Sequence, residues 1–157
     1  MLSLRVGFLI YTALSVVLMC VSSQKLSKII NYQYQTQALN NAQATRIFGY
    51  HINSRSNDQS WDIQSVEGNN FVFRNAATGL YLGVNYASEG APVIAGPTPY
   101  RWRQILISGS WYQIATLDSQ YAILLTGPQD GAPIVLKGAS YKGKDTQWSD
   151  EPAPLVG

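Results

Sequence analysis

Between residues 40 and 59 the chain gathers Asn40, Asn41, Tyr50, His51, Asn57, Asp58 and Gln59. These are amides, a phenol, an imidazole and a carboxylate, a set able to bind a polar ligand such as a sugar through hydrogen bonds and a ring face. A sugar presents a fan of hydroxyls and an apolar C–H face. It calls for a fixed acceptor such as Asp, for amides that both donate and accept, and for an aromatic platform. Several of these residues have a plainer reading as well. Asp58, in Ser56-Asn57-Asp58, is a turn former that bonds local backbone. Gln59 is equally suited to capping backbone groups of a neighbouring loop, and His51 to an exposed loop. Catalysis finds less support. Asp58 and Asp62 lie on either side of Trp61 and read as solvated carboxylates, not as a glycosidase pair. The chain has one His and one Cys, too few for a multi-His metal site or a His-based triad. It also lacks a phosphate-binding glycine loop and a Ser nucleophile elbow. No catalytic residue, metal ligand or cofactor is predicted.

The elements that must position this set are short strands. Apolar segments alternate with polar residues, and Gly, Asn, Pro, Asp and Ser interrupt them every few residues, the pattern of an all-β sandwich or barrel. Strands are predicted at 28–31, 46–50, 61–64, 71–74, 80–82, 102–105 and 111–114, while Leu39-Asn40-Asn41 reads as a turn. Internal repetition is the stronger signal. Gly90-Ala91-Pro92-Val93-Ile94 recurs 41 residues later as Gly131-Ala132-Pro133-Ile134-Val135; Trp61 and Trp102 are also 41 apart, and Trp148 follows 46 further on. A fixed period in this range means one supersecondary unit repeated. The units fall near 27–64, 70–107 and 111–150, about four strands each. Having no polar capping repeats, they predict closure about a three-fold axis and not an open solenoid. Trp61, Trp102 and Trp148, at the same place in each unit, are predicted to fill the shared interior. In the third unit Tyr112 is the core aromatic, leaving Trp111 partly exposed.

Two motifs carry a family resemblance. Gln59-Ser60-Trp61 closes the first unit with Gln-x-Trp, and Asn75-Ala76-Ala77-Thr78-Gly79-Leu80-Tyr81-Leu82 follows a strand with Asn-x-x-Thr-Gly-x-Tyr-Leu. The chain resembles ricin-B-type lectin domains over roughly residues 27–150, and is similar to small fungal members described as family-13 carbohydrate-binding modules. The resemblance implies a β-trefoil and binding to glycans or a polysaccharide. It also implies an Asp after the second strand of a functional unit, and here the sequence departs. Asn40-Asn41 replaces the Asp in the first unit, Gly83-Val84 has no acid in the second, and Tyr121 to Leu125 is apolar in the third. Tyr100-Arg101-Trp102 lacks the Gln, and Gln147 stands directly before Trp148. Only the first unit keeps a plausible set, with Asp58 placed to supply the missing carboxylate.

At the N-terminus Arg5 precedes an apolar run, Val6 to Val21, that ends in Ser22 and Ser23, the layout of a secretory signal cut after Ser23. Residues 1–23 are read as that signal and 24–157 as the mature domain; the rival reading is an uncleaved signal anchor. Cys20 leaves with the signal, so a secreted domain of this kind relies on its core without disulfides. Across all 157 residues, 11 Lys and Arg against 9 Asp and Glu give a net charge of +2, too balanced for a nucleic-acid footprint. No membrane association is expected once the signal is removed. A second class of function stays open, a secreted β-trefoil protease inhibitor presenting Arg55 in Asn53-Ser54-Arg55-Ser56, or the loop Pro97-Thr98-Pro99-Tyr100.

Overall fold

A computed structural model describes residues 25–43 and 45–153, so the signal-like run lies outside the described residues. The described residues form twelve strands, four to a unit. The first unit holds β1 (Leu26–Asn31), β2 (Gln37–Gln43), β3 (Arg46–His51) and β4 (Trp61–Glu67); the second holds β5 (Asn70–Asn75), β6 (Tyr81–Gly83), β7 (Ile94–Gly96) and β8 (Trp102–Ser108). The third holds β9 (Trp111–Ala115), β10 (Tyr121–Leu125), β11 (Ala132–Gly138) and β12 (Trp148–Pro152). The outer strands of each unit close a six-membered antiparallel ring, β1-β4-β5-β8-β9-β12 and back to β1. The inner strands form the hairpins β2–β3, β6–β7 and β10–β11, and β3 pairs with both β11 and β7 to join them. This is a β-trefoil, and closure of the ring leaves no barrel edge to solvent.

The sequence period of 41 becomes a period in burial. The same inward position on successive strands is held by Ile29, Phe73 and Ile114, then by Leu39, Leu82 and Ile123, then by Ile47, Val93 and Ile134, all buried. Trp61, Trp102 and Trp148 complete the set at 0% exposure. Their indole N–H groups donate to the carbonyls of Leu39 (3.0 Å), Leu82 (2.9 Å) and Ile123 (3.2 Å). Each Trp therefore fills the core and ties a barrel strand to the hairpin of its own unit. A buried carbonyl left without that donor costs about 1–3 kcal/mol. The two barrel hairpins, β4–β5 and β8–β9, turn on Gly68 (φ 57°) and Gly109 (φ 56°), left-handed positions again 41 apart where a side chain would be strained.

Two expectations are corrected. Leu39-Asn40-Asn41 is not a turn: it lies within β2, where Leu39 pairs with Gly49 and Asn40 with Phe48. Asn and Gln are poor strand formers by themselves, and burial of Ala38 and Leu39 overrides that preference. Asp62 is not solvated: it is 8% exposed and accepts from the Gln64 side-chain amide.

Three-fold symmetry breaks at one joint. Asn31 and Asn75 end the first barrel strand of their units, and each side-chain oxygen accepts from two N–H groups of the following loop. Their amide nitrogens donate backwards to the preceding unit's 3-10 turn, Asn31 to Asp145 O at 2.9 Å and Asn75 to Asp58 O at 2.8 Å. The third copy of this position is Thr116, which has no amide. Its hydroxyl donates to Asp118 Oδ1 at 2.5 Å, within its own loop.

Candidate functional site

Strand alternation sorts the residues of β3. Arg46, Phe48 and Tyr50 share the outer face; the Phe48 and Tyr50 rings meet edge-on at 6.2 Å, and the Arg46 guanidinium lies 5.9 Å over Phe48. Gly49 and His51 face the third unit. A methyl at Gly49 would stand 2.6 Å from Leu125 Cδ1, so glycine is what lets β3 approach, and Gly131 N–H donates to its carbonyl at 2.9 Å. The loop after β3 is tightly determined. Asn53 Oδ1 accepts from Arg55 N–H at 3.0 Å, Asn53 O from Ser56 N–H at 3.1 Å, and Ser56 Oγ caps the 3-10 turn Asn57–Gln59 by accepting from Asp58 N–H at 3.3 Å. From that turn Gln59 reaches back: its Oε1 accepts from Asn53 N–H at 2.8 Å and its Nε2 donates to His51 O at 2.7 Å. With Asn75 holding Asp58 O from the second unit, the loop is fixed from both sides.

Between this loop and the β2–β3 hairpin lies a hollow of about 330 Å³, lined by Asn40, Ala42, Phe48, Tyr50, Asn53, Ser56, Asp58 and Gln59. Four of the seven sequence candidates, Asn40, Tyr50, Asp58 and Gln59, therefore meet there. The hydrogen-bonding surroundings assign the Asn40 amide with its oxygen toward Ala42 N–H at 3.1 Å and Asn41 N–H at 3.3 Å, which leaves its NH2 for the hollow. Tyr50 is 44% exposed. The other three lie elsewhere. Asn41, the next residue along β2, turns to the opposite face, donates to Arg46 O at 2.9 Å and accepts from Thr78 Oγ1 at 2.6 Å. Asn57 sits exposed on the 3-10 turn. His51 pairs with Asp130 of the third unit, Nδ1 to Oδ1 at 2.7 Å, and its own backbone N–H donates to the same oxygen at 2.7 Å. Burial works to raise the Asp130 pKa, but the His51 side chain and backbone and the Gln37 amide outweigh it and hold the carboxyl below its ordinary range. Phe48, Asn53 and Ser56 were missed. Phe48 was detectable as the residue two before Tyr50 on one strand; Asn53 and Ser56 depend on how the loop folds back.

The counterparts in the other units differ. Where the first unit has Asn40, Tyr50 and Asp58, the second has Gly83, Gly96 and Pro99, and Tyr100 lies against Gly83, its Cβ only 3.1 Å from where a methyl there would be. The third has Leu124, Lys137 and Asp145. There Lys137 Nζ binds Glu89 at 2.5 Å, and Tyr141 OH donates to Asp145 Oδ2 at 3.3 Å.

Comparison with known proteins resolves the family. The family model described as ricin-type beta-trefoil lectin domain-like matches residues 57–137. The chain belongs to this family. Similar solved structures of the lectin fold include the ricin B-like lectin of Macrolepiota procera, determined in complex with lactose. It is 24% identical, with a TM-score of 0.75, covering 84% of this chain and 98% of that one. The agglutinin of Rhizoctonia solani is 17% identical, with a TM-score of 0.73, covering 82% and 95%. The exo-beta-1,3-galactanase 1,3Gal43A of Clostridium thermocellum is 18% identical, with a TM-score of 0.70; 83% of this chain corresponds to 31% of that enzyme. No curated protein sequence matches the chain.

Proposed function

We propose that this lectin domain is a secreted, non-catalytic carbohydrate-binding protein that holds a sugar in the first unit's hollow. One observation carries the reading: a carboxylate, a side-chain amide and an exposed phenol ring line one hollow, beside a loop fixed by Gln59 and Asn75. In this reading Asp58 accepts from sugar hydroxyls, Asn40 donates to one, and Tyr50 with Phe48 covers the C–H face. Gln59 acts by holding the loop. Asn41, His51 and Asn57 lie outside the hollow, and the lactose-bound Macrolepiota lectin supports a glycan as the partner. The non-catalytic reading is supported by Asp62, which is buried against Gln64 and so gives Asp58 no facing carboxylate. The apolar run to Val21 followed by Ser22 and Ser23 supports secretion.

The inhibitor reading through Arg55 gains nothing from the geometry. A protease cleft takes an extended strand, whereas Arg55 lies in a turn closed by Ser56 N–H on Asn53 O. The deciding experiment is a glycan array, run beside a trypsin inhibition assay on protein secreted from a eukaryotic host. Binding to a defined glycan without inhibition is expected, with the secreted N-terminus at or near Gln24. A preparation that binds no glycan and inhibits trypsin overturns the reading.

A further inference from the structure

At the joint where Thr116 replaces the linking Asn, the side-chain bond back to the preceding unit's loop is missing. The loop before Trp102 has no 3-10 turn like those before Trp61 and Trp148. The result is a groove of about 470 Å³ whose walls include Pro99, Tyr100 and Leu117, with Arg101, Thr116 and Asp118 as its polar groups. Leu117 is 41% exposed. The groove shares Pro99 and Tyr100 with the counterpart of the first unit's hollow but opens the other way, from the β7–β8 loop across to Thr116, Leu117 and Asp118 of the β9–β10 loop.

We infer that this groove is a second, non-equivalent carbohydrate site that takes a neutral hexopyranose unit. The inference rests on the lectin reading. Asp118 is a fixed acceptor: Thr116 Oγ1 donates to its Oδ1 at 2.5 Å and Gln120 N–H donates to the same oxygen at 3.1 Å. Those bonds, with one from its own backbone N–H, hold its carboxyl below the usual carboxylate range, and the exposed carboxylate lines the groove. Arg101 brings only donors. Tyr100, Pro99 and Leu117 offer an apolar wall for a C–H face. Charge selects the occupant. A cationic peptide that suits Asp118 meets Arg101, and a phosphate or other polyanion that suits Arg101 meets Asp118. A neutral fan of hydroxyls accepts from one and donates to the other.

The test is an amide-resolved NMR titration of 15N-labelled protein secreted from yeast, with lactose, N-acetylglucosamine and mannose as probes. Two separate groups of amides are expected to shift, one within residues 40–59 and one within 99–120. Asp118→Asn and Arg101→Ala should each weaken the second response about tenfold or more and leave the first unchanged. Arg101→Ala covers the case in which Asp118→Asn disturbs its own loop. Shifts confined to 40–59, or a second group indifferent to both substitutions, overturn the second site while the lectin reading stands. No shift with any probe, together with an empty glycan array, removes both.

Discussion

Tyr50 and His51 are neighbours in the chain and face opposite sides of β3, one toward the hollow and one toward Asp130. A list of polar residues along the sequence cannot separate them; strand parity does, once β3 is located. Asp58 is the residue on which the proposed site turns. Asp58→Ala should lower the affinity for an array-identified glycan about ten- to a hundredfold, because a hydrogen bond to a charged group contributes roughly 1.5–3 kcal/mol. Stability should move by no more than about half a kcal/mol, since the fold engages the residue through its backbone. Titration calorimetry and thermal melting measure the two effects, and an unchanged affinity would place the site elsewhere. Gly49 gives the opposite case, a residue that matters for shape alone. Gly49→Ala should cost about 1–3 kcal/mol through the forced shift of Leu125. Denaturant unfolding reads this directly, and a neutral result would mean that Leu125 moves aside freely.

Among elements, the loop from Asn53 to Gln59 is a first-unit feature held in part by the second unit. Asn75→Ala removes the donor to Asp58 O and the acceptor for Ala77 and Thr78 N–H. Destabilisation of about 1–3 kcal/mol is expected, together with weaker glycan binding, though Asn75 does not line the hollow. Measuring affinity well below the melting temperature separates the effects; full affinity in a folded Asn75→Ala protein would show that the loop holds itself. The Asn at 75 was legible as part of the Asn-x-x-Thr-Gly motif, but its backward bond to the preceding unit was not. The strand character of β2 was also illegible, because its polar residues hide a pair of buried apolar ones, Ala38 and Leu39.

For the molecule as a whole, stability depends on ties between units that are far apart in sequence. Asp130 joins the third unit to His51 and Gln37 of the first, 79 and 93 residues away. Its folded pKa is depressed below an unfolded value of about 3.9, so its contribution is present above that value and is lost as pH falls through the folded one. Wild type should therefore melt above Asp130→Asn at mildly acidic pH, and the gap should close as pH drops from about 5 to about 2. Calorimetric melting across that range is the check. A gap that persists at the lowest pH would show that geometry, and not charge, makes the tie.

Repetition by itself established three units of about 41 residues, the inward Trp of each and closure about a three-fold axis without caps; the β-trefoil came with the resemblance carried by Gln59-Ser60-Trp61 and the Asn75-to-Leu82 motif. It could do so because the hydrophobic pattern repeats locally, and each unit must bury the same positions to share one core. The richer polar set of the first unit was visible for the same reason, as a departure from its own copies. Tertiary structure decided which of those polar residues meet. It turned Asn41 and His51 away, brought in Asn53 and Ser56, and opened a groove beside Thr116. These outcomes depend on strand parity, on hydrogen bonds across unit boundaries and on how closely the ring closes. All of them join residues that the chain keeps far apart.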